Sequence, residues 1–150
     1  MKKNVLNYIN FMLMALTMFC LSCNELETNI EAQLEAPKSI EGNWKIMNVT
    51  RNDLDITQAA DFSQFRISFK GDNTYSLENY LPFIVKGGGT YALDDPKYPF
   101  KLNFTEIGRA EPIVTDLIYP VIQGKRQIHL TFRPGCQSNT YKYVLERVEE

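Results

Sequence analysis

From Gly42 onward, apolar and polar residues alternate with a period of two. Phe65, Ile67 and Phe69 alternate with Gln64, Arg66 and Ser68; Phe100, Leu102 and Phe104 with Lys101, Asn103 and Thr105; Ile128, Leu130 and Phe132 with Gln127, His129 and Thr131. Each series predicts a strand with one buried face. Turn residues separate them: Lys70-Gly71-Asp72-Asn73 leads into Thr74 to Asn79, Asp94-Asp95-Pro96 follows Thr90 to Leu93, and Gly124-Lys125 precedes Arg126. A last strand runs from Thr140 to Val148, with Tyr141, Tyr143 and Leu145 on one face. With Ile113 to Gln123 the count reaches about eight strands, at the spacing of about 8 to 12 residues expected of an all-β barrel or sandwich.

Every link but one is hairpin-sized, which predicts a small antiparallel up-and-down β-barrel. The long link, Asn52 to Ser63, contains Asp55 to Ala60, which predicts one helical turn capped by Asp55 or Thr57 and laid over an open barrel end. An eight-stranded barrel is only just wide enough for side chains to fill. The expected inward residues are Phe65, Phe69, Tyr75, Tyr91, Phe100, Phe104 and Phe132, which leave little room for a cavity.

Ahead of the barrel the chain has a different character. Met1-Lys2-Lys3 is a basic start and Phe11 to Leu21 an apolar run of signal-peptide length, too short to span a bilayer. Phe19-Cys20-Leu21-Ser22-Cys23 then resembles a bacterial lipoprotein box, in which a small residue precedes a cysteine that is acylated before cleavage, with Cys20 at the place usually held by Leu. The expected organisation is a signal peptide over 1–22, a lipidated Cys23 with an acidic tether over 23–38, and the barrel over 39–150. The tether carries Glu25, Glu27, Glu31 and Glu35 before Pro37. Acyl chains supply about 0.8 kcal/mol per buried methylene, so a multiply acylated Cys23 holds a domain to a membrane without a spanning helix. The expected location is the outer membrane, on its periplasmic or cell-surface side.

The cysteine count fits this organisation. Of three cysteines, Cys20 leaves with the leader and Cys23 becomes a thioether, so only Cys136 remains and no internal disulfide closes. The chain has 16 basic and 18 acidic residues, net −2, and removal of Lys2 and Lys3 makes the remainder more acidic, which excludes nucleic-acid binding by bulk charge.

The segment Ser39 to Ile46 opens the barrel and holds the chain's single Trp. Gly42-Asn43-Trp44, the early hairpin Phe69 to Tyr75, the run Gly88 to Leu93 and Arg147 in the last strand together resemble the lipocalin-like (calycin) proteins, in particular the small lipid-anchored ones of Gram-negative bacteria. The resemblance implies that Trp44 closes one barrel end with Arg147 packed across it as a cation–π pair. It also implies a small apolar or amphipathic ligand at the open end. The tentative ligand-binding residues are Leu81, Phe83, Ile84 and Tyr91, with Tyr80 to Val85 read either as a mouth loop or as an irregular or bulged strand whose apolar residues are core.

Two further readings stand beside ligand binding: a packed barrel serving as a protein-interaction or assembly module, and a glycan-binding module with Tyr80, Tyr98 or Tyr119 in an exposed row. Catalytic chemistry is not expected. His129 is the single histidine and alternates onto the polar face, Cys136 lies in a turn, and Asp116 sits between Val114 and Ile118 as either an inward or an edge carboxylate. These supply neither a metal-ligand set nor a nucleophile–His–acid arrangement, so no cofactor is expected.

Overall fold

A computed structural model describes residues 35–79, 82–135 and 138–148. Ten strands form: β1 (Gly42–Arg51), β2 (Leu54–Asp55), β3 (Arg66–Phe69), β4 (Thr74–Glu78), β5 (Gly89–Leu93), β6 (Lys101–Glu106), β7 (Ile113–Ile118), β8 (Val121–Ile122), β9 (Lys125–Phe132) and β10 (Tyr141–Arg147). Eight of them pair antiparallel in the order β1-β3-β4-β5-β6-β7-β9-β10, and β10 returns to β1, closing the barrel. The up-and-down barrel expected from the hairpin-sized links is therefore the fold. The two short strands lie outside this circuit, β2 on β1 and β8 on β9.

Local chemistry sets the turns. In the β3–β4 hairpin, Asn73 takes φ +63°, while the Asp72 carboxylate accepts from the Thr74 N–H at 3.0 Å and from its hydroxyl at 2.6 Å. Between β8 and β9, Gln123 and Gly124 both have positive φ, the backbone twist that a two-residue hairpin needs. In β1 the register slips between Ile46 and Asn48. This bulge shifts the alternation by one, so that Trp44, Ile46 and Val49 are all buried while Met47 faces solvent.

The core is the barrel lumen. Phe65, Ile67, Phe69, Leu102, Phe104, Ile128, Leu130 and Leu145 are all fully buried or nearly so. One expected inward residue lies elsewhere. Phe100 has the phase of Leu102 and Phe104 but precedes the start of β6, so it projects past the barrel rim and is 71% exposed. The long link also differs in detail from its predicted helical turn. It makes two 3-10 turns, Thr57–Ala59 and Phe62–Gln64, and the Asp55 carboxylate accepts from the Thr57 N–H at 2.8 Å.

Candidate functional site

The barrel has two distinct ends. At the entry end, where the chain arrives at Lys38, lie the start of β1, the end of β10 and the turns following β3, β5 and β7. The Lys38 N–H donates to the Pro96 carbonyl at 2.6 Å, fastening the incoming chain beside the β5–β6 turn. Trp44 is buried; its Nε1–H donates to the Ile40 carbonyl at 2.8 Å and its ring meets Tyr119 at 6.5 Å. The Tyr119 hydroxyl donates to the Ser39 carbonyl, and the Arg126 guanidinium sits 4.5 Å from the Tyr119 ring centroid.

Arg147 is the register partner of Trp44, so the two residues share one end of the barrel. Its guanidinium, however, lies against the backbone of Gly42, where an added side-chain carbon would stand 2.8 Å from Arg147 Nε. Among the described residues the cations over rings are Arg51 on Tyr141 and Arg126 on Tyr119. In place of the implied cation–π pair, Tyr119 carries Arg126 over its ring and meets Trp44 at a tilt of 55°, a contact that no spacing in the chain reveals.

At the far end, the link from Asn52 to Gln64 and the segment before β5 fold over the lumen. Phe83, Ile84 and Val85 are buried in the core, not displayed at a mouth. Phe83 stands 4.9 Å from Phe65, 5.0 Å from Tyr143 and 6.4 Å from Phe104, ring centroid to centroid. Those three belong to the residue before β3, to β10 and to β6, which are separate walls of the barrel, so the Phe83 ring fills the lumen between them. The backbone behind this stopper is held by Glu106, whose carboxylate accepts from the Lys86 N–H at 2.6 Å and the Gly87 N–H at 3.1 Å and pairs with Arg109. These bonds, the backbone one from Lys86 first, hold the Glu106 carboxyl below its ordinary value. Gly89 is fixed as well, because a side chain there would collide with the Thr105 carbonyl at 2.0 Å.

Of the four tentative ligand residues, the three that are described do not converge on one pocket. Phe83 and Ile84 are lumen residues of the far end, while Tyr91 packs edge-on against Phe69 at 4.9 Å and its hydroxyl donates to the Lys70 carbonyl near the entry end. Leu81, like Tyr80, Cys23 and Cys136, lies outside the described residues. Among the clefts on the surface of the described residues, three are well formed. One of about 400 Å3 lies between Lys38–Glu41 and β5; one of about 510 Å3 lies under the 3-10 turns beside Ile46. The third, about 280 Å3, is lined by Tyr98, Phe100, Leu117, Ile118, Tyr119 and the neighbouring Lys38 and Lys97. Their linings include none of Phe65, Phe69, Phe104, Leu130 or Leu145.

A family model described as "Domain of unknown function (DUF5004)" matches residues 23–146. The chain belongs to the DUF5004 family. No curated protein and no solved structure matches it.

Two polar residues of this DUF5004 barrel that could carry chemistry make contacts on its outer face. Asp116 points outward between the buried Thr115 and Leu117, bonded to Arg133 at 2.7 Å and Lys101 at 3.3 Å; these partners, Arg133 foremost, hold its carboxyl below the usual value. His129 is half-buried on the outer face beside Gln127, and burial, with Lys142 nearby, pushes its pKa down. Among the described residues of the DUF5004 domain, no group of three His, Cys, Asp or Glu side chains is placed to hold a metal ion, and no helix is long and apolar enough to cross a membrane.

Proposed function

We propose that this protein is a lipid-anchored module of the bacterial cell envelope, moored through Cys23 to the outer membrane, whose barrel is a solid scaffold acting through its outer surface in protein interaction or assembly. One observation carries the reading: the Phe83 ring occupies the lumen between Phe65, Phe104 and Tyr143, where a lipocalin-like cup would hold its ligand. Burial of Phe83, Ile84 and Val85 is worth about 1.5–3 kcal/mol for each side chain, which an internal ligand would have to replace. The family match begins at Cys23 and leaves the leader outside, in keeping with a mature chain that starts there.

A glycan platform is less well supported. Of its three stacking candidates Tyr80 lies outside the described residues, and Tyr98 and Tyr119 share a cleft, but the Tyr119 ring is flanked by Trp44 and Arg126, which leaves Tyr98 and Phe100 as the accessible rings.

Titration with an apolar fluorophore such as N-phenyl-1-naphthylamine separates a scaffold from a cup. The wild-type chain is expected to bind none stoichiometrically, while Phe83→Ala opens a pocket and gains a one-to-one site. One-to-one binding by the wild type, or a small molecule retained in native mass spectrometry, would restore the ligand-cup reading. The mass of the N-terminal peptide from native membranes reports acylation of Cys23, and Cys23→Ser should move the protein out of the membrane fraction.

A further inference from the structure

The entry end holds the most concentrated apolar surface of the described residues. Phe100 is 71% exposed, Tyr98 57% and Ile118 57%, all on one cleft. The adjoining β8 hairpin adds exposed Val121 and Ile122. The remaining large exposed apolar side chains, Met47, Leu54, Ile107 and Val114, belong to four separate segments. Contiguous exposed apolar surface marks an interaction site, whereas scattered residues are ordinary.

Three observations select the partner. First, aromatic and aliphatic side chains stand beside basic ones: Lys38 and Lys97 line the cleft and no acidic residue is among its described lining, while in the neighbouring β8–β9 hairpin Lys125 pairs with Glu146 at 3.6 Å and Arg126 covers Tyr119. Second, the two carboxylates of the adjacent turn are already engaged by backbone. Asp94 accepts from the Phe100 and Lys101 N–H groups, and Asp95 from those of Lys97 and Tyr98. Third, the chain enters the domain at this same place, through the Lys38–Pro96 bond. Cys23 lies fifteen residues earlier, a reach of about 50 Å even fully extended.

We infer that the entry end is a membrane-contacting face: Phe100, Tyr98, Val121 and Ile122 enter the interfacial layer of the bilayer while Lys97, beside them on the cleft, meets anionic phospholipid headgroups. The inference rests on the proposed acylation of Cys23, which brings the face within reach of lipid. Aromatic rings favour the headgroup level because one part of the environment is apolar and the other wet. Basic residues at an anionic surface add to this attraction, which salt weakens. One acyl anchor positions the domain near the bilayer; a second contact fixes which way it faces.

The test uses the full chain purified from native membranes and reconstituted in vesicles of phosphatidylcholine and phosphatidylglycerol. Spin labels are placed at Phe100→Cys, Ile122→Cys and, at the far end, Ile107→Cys, each with Cys136→Ser. Labels at 100 and 122 are expected to collide with oxygen and to be shielded from a water-soluble nickel complex, with the reverse at 107. Lys97→Glu should shift the label at 100 toward water. A label at 100 that remains in water, whether mobile or immobilised under another protein, overturns the inference. The mass of the Cys23 peptide is read separately: acylated Cys23 with position 100 in water leaves the anchor standing and removes the face. Unmodified Cys23 with position 100 in lipid does the opposite.

Discussion

Trp44 and Arg147 face each other across the β1–β10 ladder, and the guanidinium of the second lies over the bare Cα of Gly42 rather than on the indole of the first. Gly42 has φ +128°, a region that side-chain-bearing residues rarely enter. The Gly-Asn-Trp opening of the barrel therefore has a backbone reason as well as a packing one.

Gly42→Ala is expected to destabilise the domain by about 1–3 kcal/mol, read from the midpoint of urea unfolding. Arg147 is a flexible side chain that can move aside, so Arg147→Ala alone should stay within about 0.5 kcal/mol. The double variant should be as unstable as Gly42→Ala. Recovery in the double variant would mean that the guanidinium, not the dihedral angle, carries the cost.

Tyr75 offers the opposite result. Its hydroxyl is buried and lacks a hydrogen-bond partner among the described residues, while its ring packs edge-on against Phe104 at 5.1 Å. Tyr75→Phe keeps the ring and removes the unsatisfied group, so stability should rise by about 1 kcal/mol. Burial, with the Glu106 charge adding to it, pushes the phenol from 10.0 up to about 12. The folded state thus holds this proton more tightly than the unfolded chain does. The corresponding stability is present below pH 10 and is lost as pH rises from about 10 to about 12. Unfolding midpoints measured across that window should fall less steeply for Tyr75→Phe than for wild type.

Glu106 holds the far-end stopper from behind. Glu106→Ala leaves the Lys86 and Gly87 N–H groups without their acceptor, at a cost of about 1–3 kcal/mol. Hydrogen exchange of those two amides should accelerate far more than that of the β9–β10 ladder. Because the Glu106 carboxyl is held below its ordinary 4.5, its contribution is present above that value and is lost as pH falls through the lowered one. Wild-type exchange at Lys86 and Gly87 should accordingly approach that of the variant in acid.

Trp44 tests the entry-end closure. Trp44→Phe keeps most of the apolar volume but leaves the Ile40 carbonyl without its donor, an expected loss of about 1–3 kcal/mol, and Trp44→Ala should cost about 3–5 kcal/mol. If Trp44→Phe unfolds at the wild-type midpoint, the Ile40 bond contributes nothing.

Local rules made the barrel readable. Alternation in Phe65–Phe69, Leu102–Phe104 and Ile128–Leu130 reports burial on one face, and Asp72-Asn73 and Gly124 report turns, so strand number and order follow from neighbours in the chain. What escaped depends on contacts between distant segments. Nothing in Pro82 to Val85 tells a mouth loop from a stopper, because the difference lies in Phe65, Phe104 and Tyr143 across the lumen. Phe100 keeps its phase in the pattern, yet β6 begins one residue later. Tyr119, which the chain alone offers only as an exposed ring, lies under Arg126 and against Trp44 because the segment after β7 meets β1 at the entry end.

Since β10 is the strand that joins both β9 and β1, the tube has a gap until the last of the chain is available. A polypeptide emerging from its N-terminus first would carry seven walls and two raw edges, with the seam partners of Trp44 and Val49 about a hundred residues away. Closure is therefore a late, cooperative event, and a premature stop before Tyr141 yields an open sheet with a greasy trough exposed, a substrate for proteases and chaperones.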